Sequence, residues 1–323
     1  MTNRTSRQTL LFLIASAMML LCSCTLMKPS YRGEDIVLNS YPYQNAETRP
    51  MVVATYRPAF GLQSSPQTAQ LGTRVVKLAD VRPVRDHGGV WSDEAMRYDL
   101  NAMQACGLNG CLLMLRPSEL IDTHYLERIR QFFSMCAMCR PVFQVGLFLY
   151  SDTPIDMGTG NVAQFLSQNG FAALPAALST TPDARKMLVV FDTSCIHLNW
   201  QHFAEERQFI MKPWNRNMVV LPDNTAMMLC GGNCGLETEV TNSAQHRWPI
   251  PRGDGSFLAN ALRRAFMSHA PLICIHSWNW FRDGSFISAN TLDGTLLANI
   301  LREELDKLEE LRLQMQMTDT NSQ

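Results

Sequence analysis

Residues 92–150 read SDEAMRYDLNAMQACGLNGCLLMLRPSELIDTHYLERIRQFFSMCAMCRPVFQVGLFLY, and the fold is decided there. Ser92 has the character of a helix N-cap. Asp93 and Glu94 follow in the first turn, where carboxylates meet the positive end of a helix. Met96, Leu100 and Met103 recur at helical spacing, and Gly107 stops the run. Cys111–Leu115 is a short apolar strand. The spacing then predicts a helix from Ser118 to about Met138, with Leu126, Ile129 and Phe133 on one face. Val142–Tyr150 is a second, longer apolar strand. Strands that are apolar throughout and alternate with helices belong to a parallel sheet covered on both faces.

The same rhythm runs outward in both directions. Met51–Tyr56 is a β-branched apolar run and the first buried strand. After Tyr150 the pattern predicts a broken helix over Val162–Leu178, interrupted by Gly170 and Pro175, and a strand over Met187–Phe191 ending at Asp192. A helix over Trp200–Ile210 and short strands over Met218–Leu221 and Ala226–Cys230 follow. A helix over Phe257–Ser268, a last strand over Leu272–His276 and an amphipathic helix from Leu292 to about Met315 complete the series. An eighth strand is expected near Glu237–Val240. One continuous α/β unit over 51–316 suits a single-domain (β/α)8 TIM-like barrel, with 317–323 as a disordered tail. A doubly wound open sheet is the alternative, but it usually carries a glycine-rich phosphate turn after its first strand, and Tyr56-Arg57-Pro58 is no such turn. The stretch from Arg57 to Trp91 is rich in Gly, Pro, Gln and Ser, and loops this long in a compact domain are usually functional.

Composition narrows the function. The chain has 323 residues, a net charge of −1 and 46% apolar residues. A near-neutral chain lacks the basic excess of a general nucleic-acid binder. Charged residues are 18%, and the apolar content is too high for disorder over most of the length. Arg4 and Arg7 precede an apolar run, Leu10–Leu21, of about a dozen residues, too short for a comfortable bilayer span. It reads as a secretory signal. The run ends in Leu21-Cys22-Ser23-Cys24, which resembles the lipobox of bacterial lipoproteins. That resemblance implies lipidation at Cys24 and a polar tether over 24–50. Thr25 in place of Asp implies the outer membrane of a two-membrane bacterium. An uncleaved or ordinarily cleaved signal is the alternative.

Of the ten cysteines, Cys22 and Cys24 belong to the export segment. The other eight would sit in an oxidising compartment, where disulfides are permitted but not required. Cys230 and Cys234 lie in one loop, Cys106 and Cys111 flank a turn, and Cys136 and Cys139 form a C-x-x-C. That motif falls late in a helix, away from the N-terminal position that lowers a thiol pKa. Two of these pairs have the count for a four-cysteine zinc site, but thiols or plain disulfides account for them more simply. No H-E-x-x-H, EF-hand loop or P-loop occurs, so no metal and no cofactor are expected.

In a barrel the chemistry gathers at the C-terminal ends of the strands. Those ends supply Tyr56 and Arg57, Arg116, Tyr150 and Asp152, Asp192, Asn233 with Glu237 and Glu239 nearby, and the run Ser277-Trp278-Asn279-Trp280-Phe281-Arg282-Asp283. Carboxylates, arginines and aromatics together suit sugars: ring faces stack on indoles while hydroxyls take directional polar contacts. There is no G-x-S-x-G elbow. Each residue also has a plain structural reading. Asp192 could cap a turn, Arg116 could pair with a surface carboxylate, Tyr56 could be a rim aromatic, and Asp152 sits in a Ser-Asp-Thr-Pro turn.

The stretch from Leu272 to Ser288, LICIHSWNWFRDGSFIS, resembles the final strand and loop of the endo-α-mannosidase-like glycoside hydrolases, family 99 and its relatives. Those enzymes carry an apolar strand followed by Ser-Trp/Phe-Asn-Glu-Trp-x-Glu-Gly-Thr-x-Ile-Glu. Met51–Tyr56, Met103–Met114 and Gly146–Tyr150 are similar to the family's first strand, first helix with second strand, and third strand. Aligned without a gap, the first motif glutamate falls on Trp280, the second on Asp283 and the later one on Ser288. The resemblance implies Asp283 as general acid/base, one methylene shorter than glutamate. The partner carboxylate must then come from another strand, with Asp192 first, and Asp152 or Glu237 behind it. Tyr56, Arg57, Arg116, Tyr150, Trp278, Asn279 and Trp280 would bind the saccharide. Three functions follow: a lipid-anchored glycosidase, a glycan-binding lipoprotein on a degenerate barrel, or an assembly lipoprotein using its C-terminal helix. The expected partners are carbohydrate and a membrane through the anchor, with no nucleic acid. The oligomeric state stays open.

Overall fold

The computed structural model describes residues 50–58, 68–71, 74–77, 80–85, 90–150, 160–179, 187–192, 209–214, 227–230, 250–251, 254–267, 271–281 and 285–321. In chain order the elements are β1 (Met51–Tyr56), β2 (Thr68–Leu71), β3 (Arg74–Lys77), α1 (Asp93–Ala105), β4 (Gly110–Leu115), α2 (Pro117–Ile121) and α3 (Thr123–Met138). Then come β5 (Gln144–Leu149), α4 (Gly160–Gln168), β6 (Met187–Asp192), β7 (Phe209–Trp214), β8 (Met227–Cys230), β9 (Ile250–Pro251), α5 (Ser256–Met267), β10 (Leu272–His276) and α6 (Leu296–Asn321).

Among the described residues seven strands form one sheet in the order β7-β6-β5-β4-β1-β10-β8. Every pairing in it is parallel. Side chains alternate between its faces. Val52, Ala54, Cys111, Leu113, Val145, Leu147, Val189, Ile273 and Ile275 join the core that includes the helices. Val53, Leu112, Met114, Phe148, Leu188, Val190, Leu272 and Cys274 form a second cluster on the other face.

That second face is concave. β5 and β10 are separated in the sheet by β4 and β1. At strand spacings of about 4.8 Å, a flat sheet would hold them about 14 Å apart. Yet the rings of Phe148 on β5 and His276 on β10 have centroids 6.0 Å apart. The parallel sheet therefore curls. β7 and β8 are its two ends, and no strand joins them among the described residues. The strands expected at Met218–Leu221 and near Glu237–Val240 lie outside the described residues.

Local sequence explains most boundaries. The Ser92 hydroxyl accepts from the Ala95 N–H and caps α1. Gly107, at φ 83°, ends that helix in a conformation that a side chain resists. The helix expected from Ser118 is two helices. Asp122 breaks it, because its carboxylate accepts from the backbone N–H groups of His124 and Tyr125 and starts α3 afresh. β5 begins at Gln144 rather than Val142, since the chain is still turning at Phe143, whose N–H bonds to the Cys136 carbonyl. α4 ends at Gln168, with Gly170 at φ 64° behind it. Phe209 and Ile210, expected at the end of a helix, are instead in β7, which pairs with β6 over six residues. The small sheet β3-β2-β9 was not expected; it sets a hairpin from the Arg57–Trp91 stretch beside Ile250–Pro251. α6 starts after a turn in which Asn290 Oδ1 accepts from Leu292 and Asp293, and it runs on to Asn321. It packs on α5, where Arg263 forks onto the buried carboxylate of Glu304. Among the described residues no helix is long and apolar enough to cross a membrane.

Candidate functional site

Because its strands are parallel, the curled sheet presents all their C-terminal ends at one rim. β1, β4, β5 and β10 deliver Arg57, Arg116, Tyr150 and the segment 277–281 to it. β1 and the β10 loop are stitched together there. Asn279 Oδ1 accepts the Arg57 N–H at 2.7 Å, and Asn279 Nδ2 donates to the Arg57 carbonyl at 2.6 Å. The Trp278 N–H donates to the Thr55 carbonyl at 2.7 Å. Ser277 Oγ accepts from the Trp280 N–H at 2.8 Å and bonds Ser285 Oγ at 2.9 Å, which fixes the turn carrying Trp280. The His276–Ser277 peptide is cis.

The polar centre of the rim is an ion pair. Arg57 Nη1 and Nη2 donate to the two carboxylate oxygens of Glu119, each at 2.6 Å. Arg57 Nη1 also donates to the Met114 carbonyl at 2.8 Å. The side chains of Arg57 and Glu119 are 5% and 12% exposed. Removing two charges from water is costly unless they face each other this directly. Glu119 Oε2 also accepts the Arg116 N–H at 2.8 Å, so one carboxylate organises both strand ends. Above this pair lies the Tyr150 ring. The guanidinium carbons of Arg57 and Arg116 are 5.3 and 6.0 Å from its centroid, within cation–π range. Trp280 meets the same ring edge-on at 5.1 Å. Below, His276 Nδ1 and Thr55 Oγ1 are 2.9 Å apart on the concave face.

The structure thus brings together Arg57, Arg116, Tyr150, Asn279 and Trp280. It does not bring Tyr56 or Trp278 to them. Tyr56 shares the strand parity of Val52 and Ala54 and turns under the helices. There its hydroxyl donates to Asp99 at 2.8 Å and accepts from Trp91 Nε1 at 3.0 Å, while its ring packs 5.6 Å from Phe132. Burial, then the Asp99 charge, pushes the Tyr56 phenol well above its ordinary pKa. Trp278 packs into the same helix-side core. Asp192 ends β6 in register with Trp214, and its side chain lies outside the described residues. So do Asp283, Asp152, Asn233, Glu237, Glu239 and Cys24.

Cys106, Cys111, Cys136, Cys139 and Cys274 are free thiols. The pair flanking the turn at Gly107 is not bridged, and neither is the C-x-x-C. Burial pushes Cys106 up to about 11 and raises Cys111, Cys136 and Cys274 well above the ordinary thiol range. These thiols stay protonated and are poor nucleophiles and ligands. Among the described residues no group of three or more His, Cys, Asp or Glu side chains could hold a metal ion.

Glu119, Thr55 and His276 were missed as site residues. Glu119 had a signal: in Arg116-Pro117-Ser118-Glu119 the proline sits at the first helical position and the glutamate at the third, where it reaches back to the N-cap N–H.

The chain matches no protein-family model and no curated protein. Among solved structures it is similar to the GH99 endo-α-mannosidase from Bacteroides thetaiotaomicron, with a TM-score of 0.54 and 10% identity, over 81% of this chain and 98% of that one. A second structure of that enzyme, in complex with bis-tris-propane, gives a TM-score of 0.49 at 10% identity over 81% and 98%. A glycoside hydrolase-like protein gives 0.47 at 10% identity over 80% and 94%. The first likeness is one of fold: an α/β architecture with a curled parallel sheet.

Proposed function

We propose that this protein acts on a glycan at the strand-end rim. The observation that carries the reading is the grouping of Arg57, Arg116, Tyr150 and Trp280 at the C-terminal ends of a curled parallel sheet. Arg57, whose fork is held by Glu119, and the buried Tyr150 and Trp280 shape the rim, while the half-buried Arg116 and Asn279 lie where sugar hydroxyls would meet it. In this reading the sheet is the larger part of a (β/α)8 barrel over 51–316. A polysaccharide or glycoprotein glycan is the ligand. Cleavage uses Asp283 as acid/base and Asp192 as the second carboxylate. Retention requires such carboxylates about 5–5.5 Å apart and inversion about 6.5–9.5 Å.

A second reading, recognition without turnover, is favoured by Trp280. It occupies the position of the first glutamate in the resembled motif, and it is a buried indole packed on Tyr150. Ser288, at the later glutamate position, is also buried. The test compares wild type with Asp283→Asn and Asp192→Asn on an α-mannan and on mucin-type glycans, scoring new reducing ends and binding. Turnover lost in the variants supports cleavage. Binding without turnover selects recognition. Neither binding nor turnover overturns the glycan reading.

We also propose that the chain is exported and lipid-anchored through Cys24, at the outer membrane of a two-membrane bacterium. The support is the leader: Arg4, Arg7, the Leu10–Leu21 run and the Leu-Cys-Ser-Cys sequence. Palmitate labelling lost in Cys24→Ala would bear this out; labelling retained in that variant contradicts it.

A further inference from the structure

Beside the rim lies a cleft of about 460 Å³ lined by Val90, Trp91, Ser92, Asp93, His124, Tyr125 and Arg128. Its walls are the start of α1 and the first turns of α3. Helices of a β/α unit begin where strands end, so the cleft opens at the same end of the sheet as the Arg57–Tyr150 group. Trp91, in the cleft wall, is fixed from the helix-side core, where its Nε1 donates to the Tyr56 hydroxyl at 3.0 Å. Tyr125 lies six residues after Glu119, and the charges of Glu119, Arg57 and Arg116 all act on its phenol.

The polar wall is held in place before any ligand arrives. Asp93 accepts from Arg128 Nη1 at 2.8 Å and from Gln131 Nε2 at 2.6 Å. Arg128 Nε and Nη2 donate to the Trp91 carbonyl at 3.0 and 2.5 Å. Yet the Asp93 side chain is 46% exposed, leaving it lone pairs for a donor in the cleft. One carboxylate and one guanidinium cancel. That suits neither a phosphate, which wants a net positive wall, nor a divalent cation, which wants several carboxylates. The remaining lining is flat or apolar: the half-buried Tyr125 ring, the His124 ring at 6.3 Å from it, and exposed Val90. A volume of this size falls within the ordinary range for small-molecule pockets.

We infer that this cleft is a second saccharide subsite, at the same end of the sheet as the rim, which takes neutral sugar units of a longer chain through Tyr125, His124, Asp93 and Arg128. The inference rests on the glycan reading of the rim and deepens it: the ligand is an oligosaccharide spanning both places rather than a terminal monosaccharide. The test is calorimetric titration of the full chain with ladders of one to six units of α-manno-, α-gluco- and galacto-oligosaccharides. Tyr125→Ala and the exposed-site variant His124→Ala are compared with wild type, each checked for an unchanged thermal transition. The expected result is an affinity that rises about tenfold with length in wild type, a rise that both variants lose while keeping their affinity for the shortest ligand. A rise that persists in both variants overturns the subsite and leaves the rim reading standing. No binding of any ladder by wild type overturns both.

Discussion

Arg57 and Glu119 face each other fork to fork across the ends of β1 and α2, with two contacts of 2.6 Å and little exposure to water. The pair anchors the rim. Glu119 also ties down the Arg116 N–H, and Arg57 lies against Tyr150. Removing the carboxylate leaves a buried guanidinium without its counter-charge. Glu119→Ala should therefore cost about 3–5 kcal/mol in denaturant unfolding. Glu119→Gln, which keeps a hydrogen-bond acceptor, should cost less. Equal and negligible losses in both would mean that the pair does not hold the rim.

A second carboxylate sets an acid limit on stability. Glu304 is buried between α5 and α6; burial alone would raise its pKa, but the bonds and charges of Arg263 and Lys307 hold it below the usual glutamate range. A carboxylate with a lowered folded pKa stabilises above its unfolded value, and that stabilisation is lost as pH falls through the folded one. Wild type should melt well above Glu304→Gln at pH 7. The gap in Tm should close as pH drops below about 4. A gap that stays constant down to pH 3 would contradict the assignment.

Gly146 marks where the sheet allows no side chain. A Cβ there would lie 2.6 Å from Leu112 Cδ2 and 3.0 Å from the Leu188 carbonyl oxygen. Gly146→Ala should destabilise by about 1–3 kcal/mol through overpacking, read as a shift in the denaturant midpoint. A neutral change would mean that β5 has more freedom than its neighbours suggest.

The thiols should be silent in the native state. At pH 8, iodoacetamide should leave Cys111, Cys136 and Cys274 unmodified by mass spectrometry, because burial holds each thiol protonated and covered. Unfolding should expose all three. Rapid native alkylation of Cys274 would show that the concave face is open to solvent.

Much of this architecture was legible in the sequence because one signal dominated. β1 and β10 have the expected ends, since each is a short apolar run bounded by polar or turn residues. α1 has its expected cap and stop at Ser92 and Gly107. The site was legible as a list of strand ends, not as a set of directions. Tyr56 and Arg57 are neighbours in a period-two element, so one faces the helices and the other the rim. The neighbourhood of Asn279 and Arg57 depends on a pairing 222 residues apart, which no local pattern encodes. β7 was mistaken for a helix end because Phe209-Ile210 is apolar under either period, and its pairing with β6 decides the matter. Glu119 went unremarked because a glutamate in a first helical turn has an ordinary explanation, and only the fold adds the Arg57 guanidinium to it.

The most direct test is a crystal of the chain soaked with an α-mannotetraose. Electron density for sugar rings should lie at the strand-end rim, with hydroxyls in contact with the half-buried Arg116 or Asn279. Sugar bound elsewhere, with that rim empty, would contradict the assignment of the rim as the glycan site.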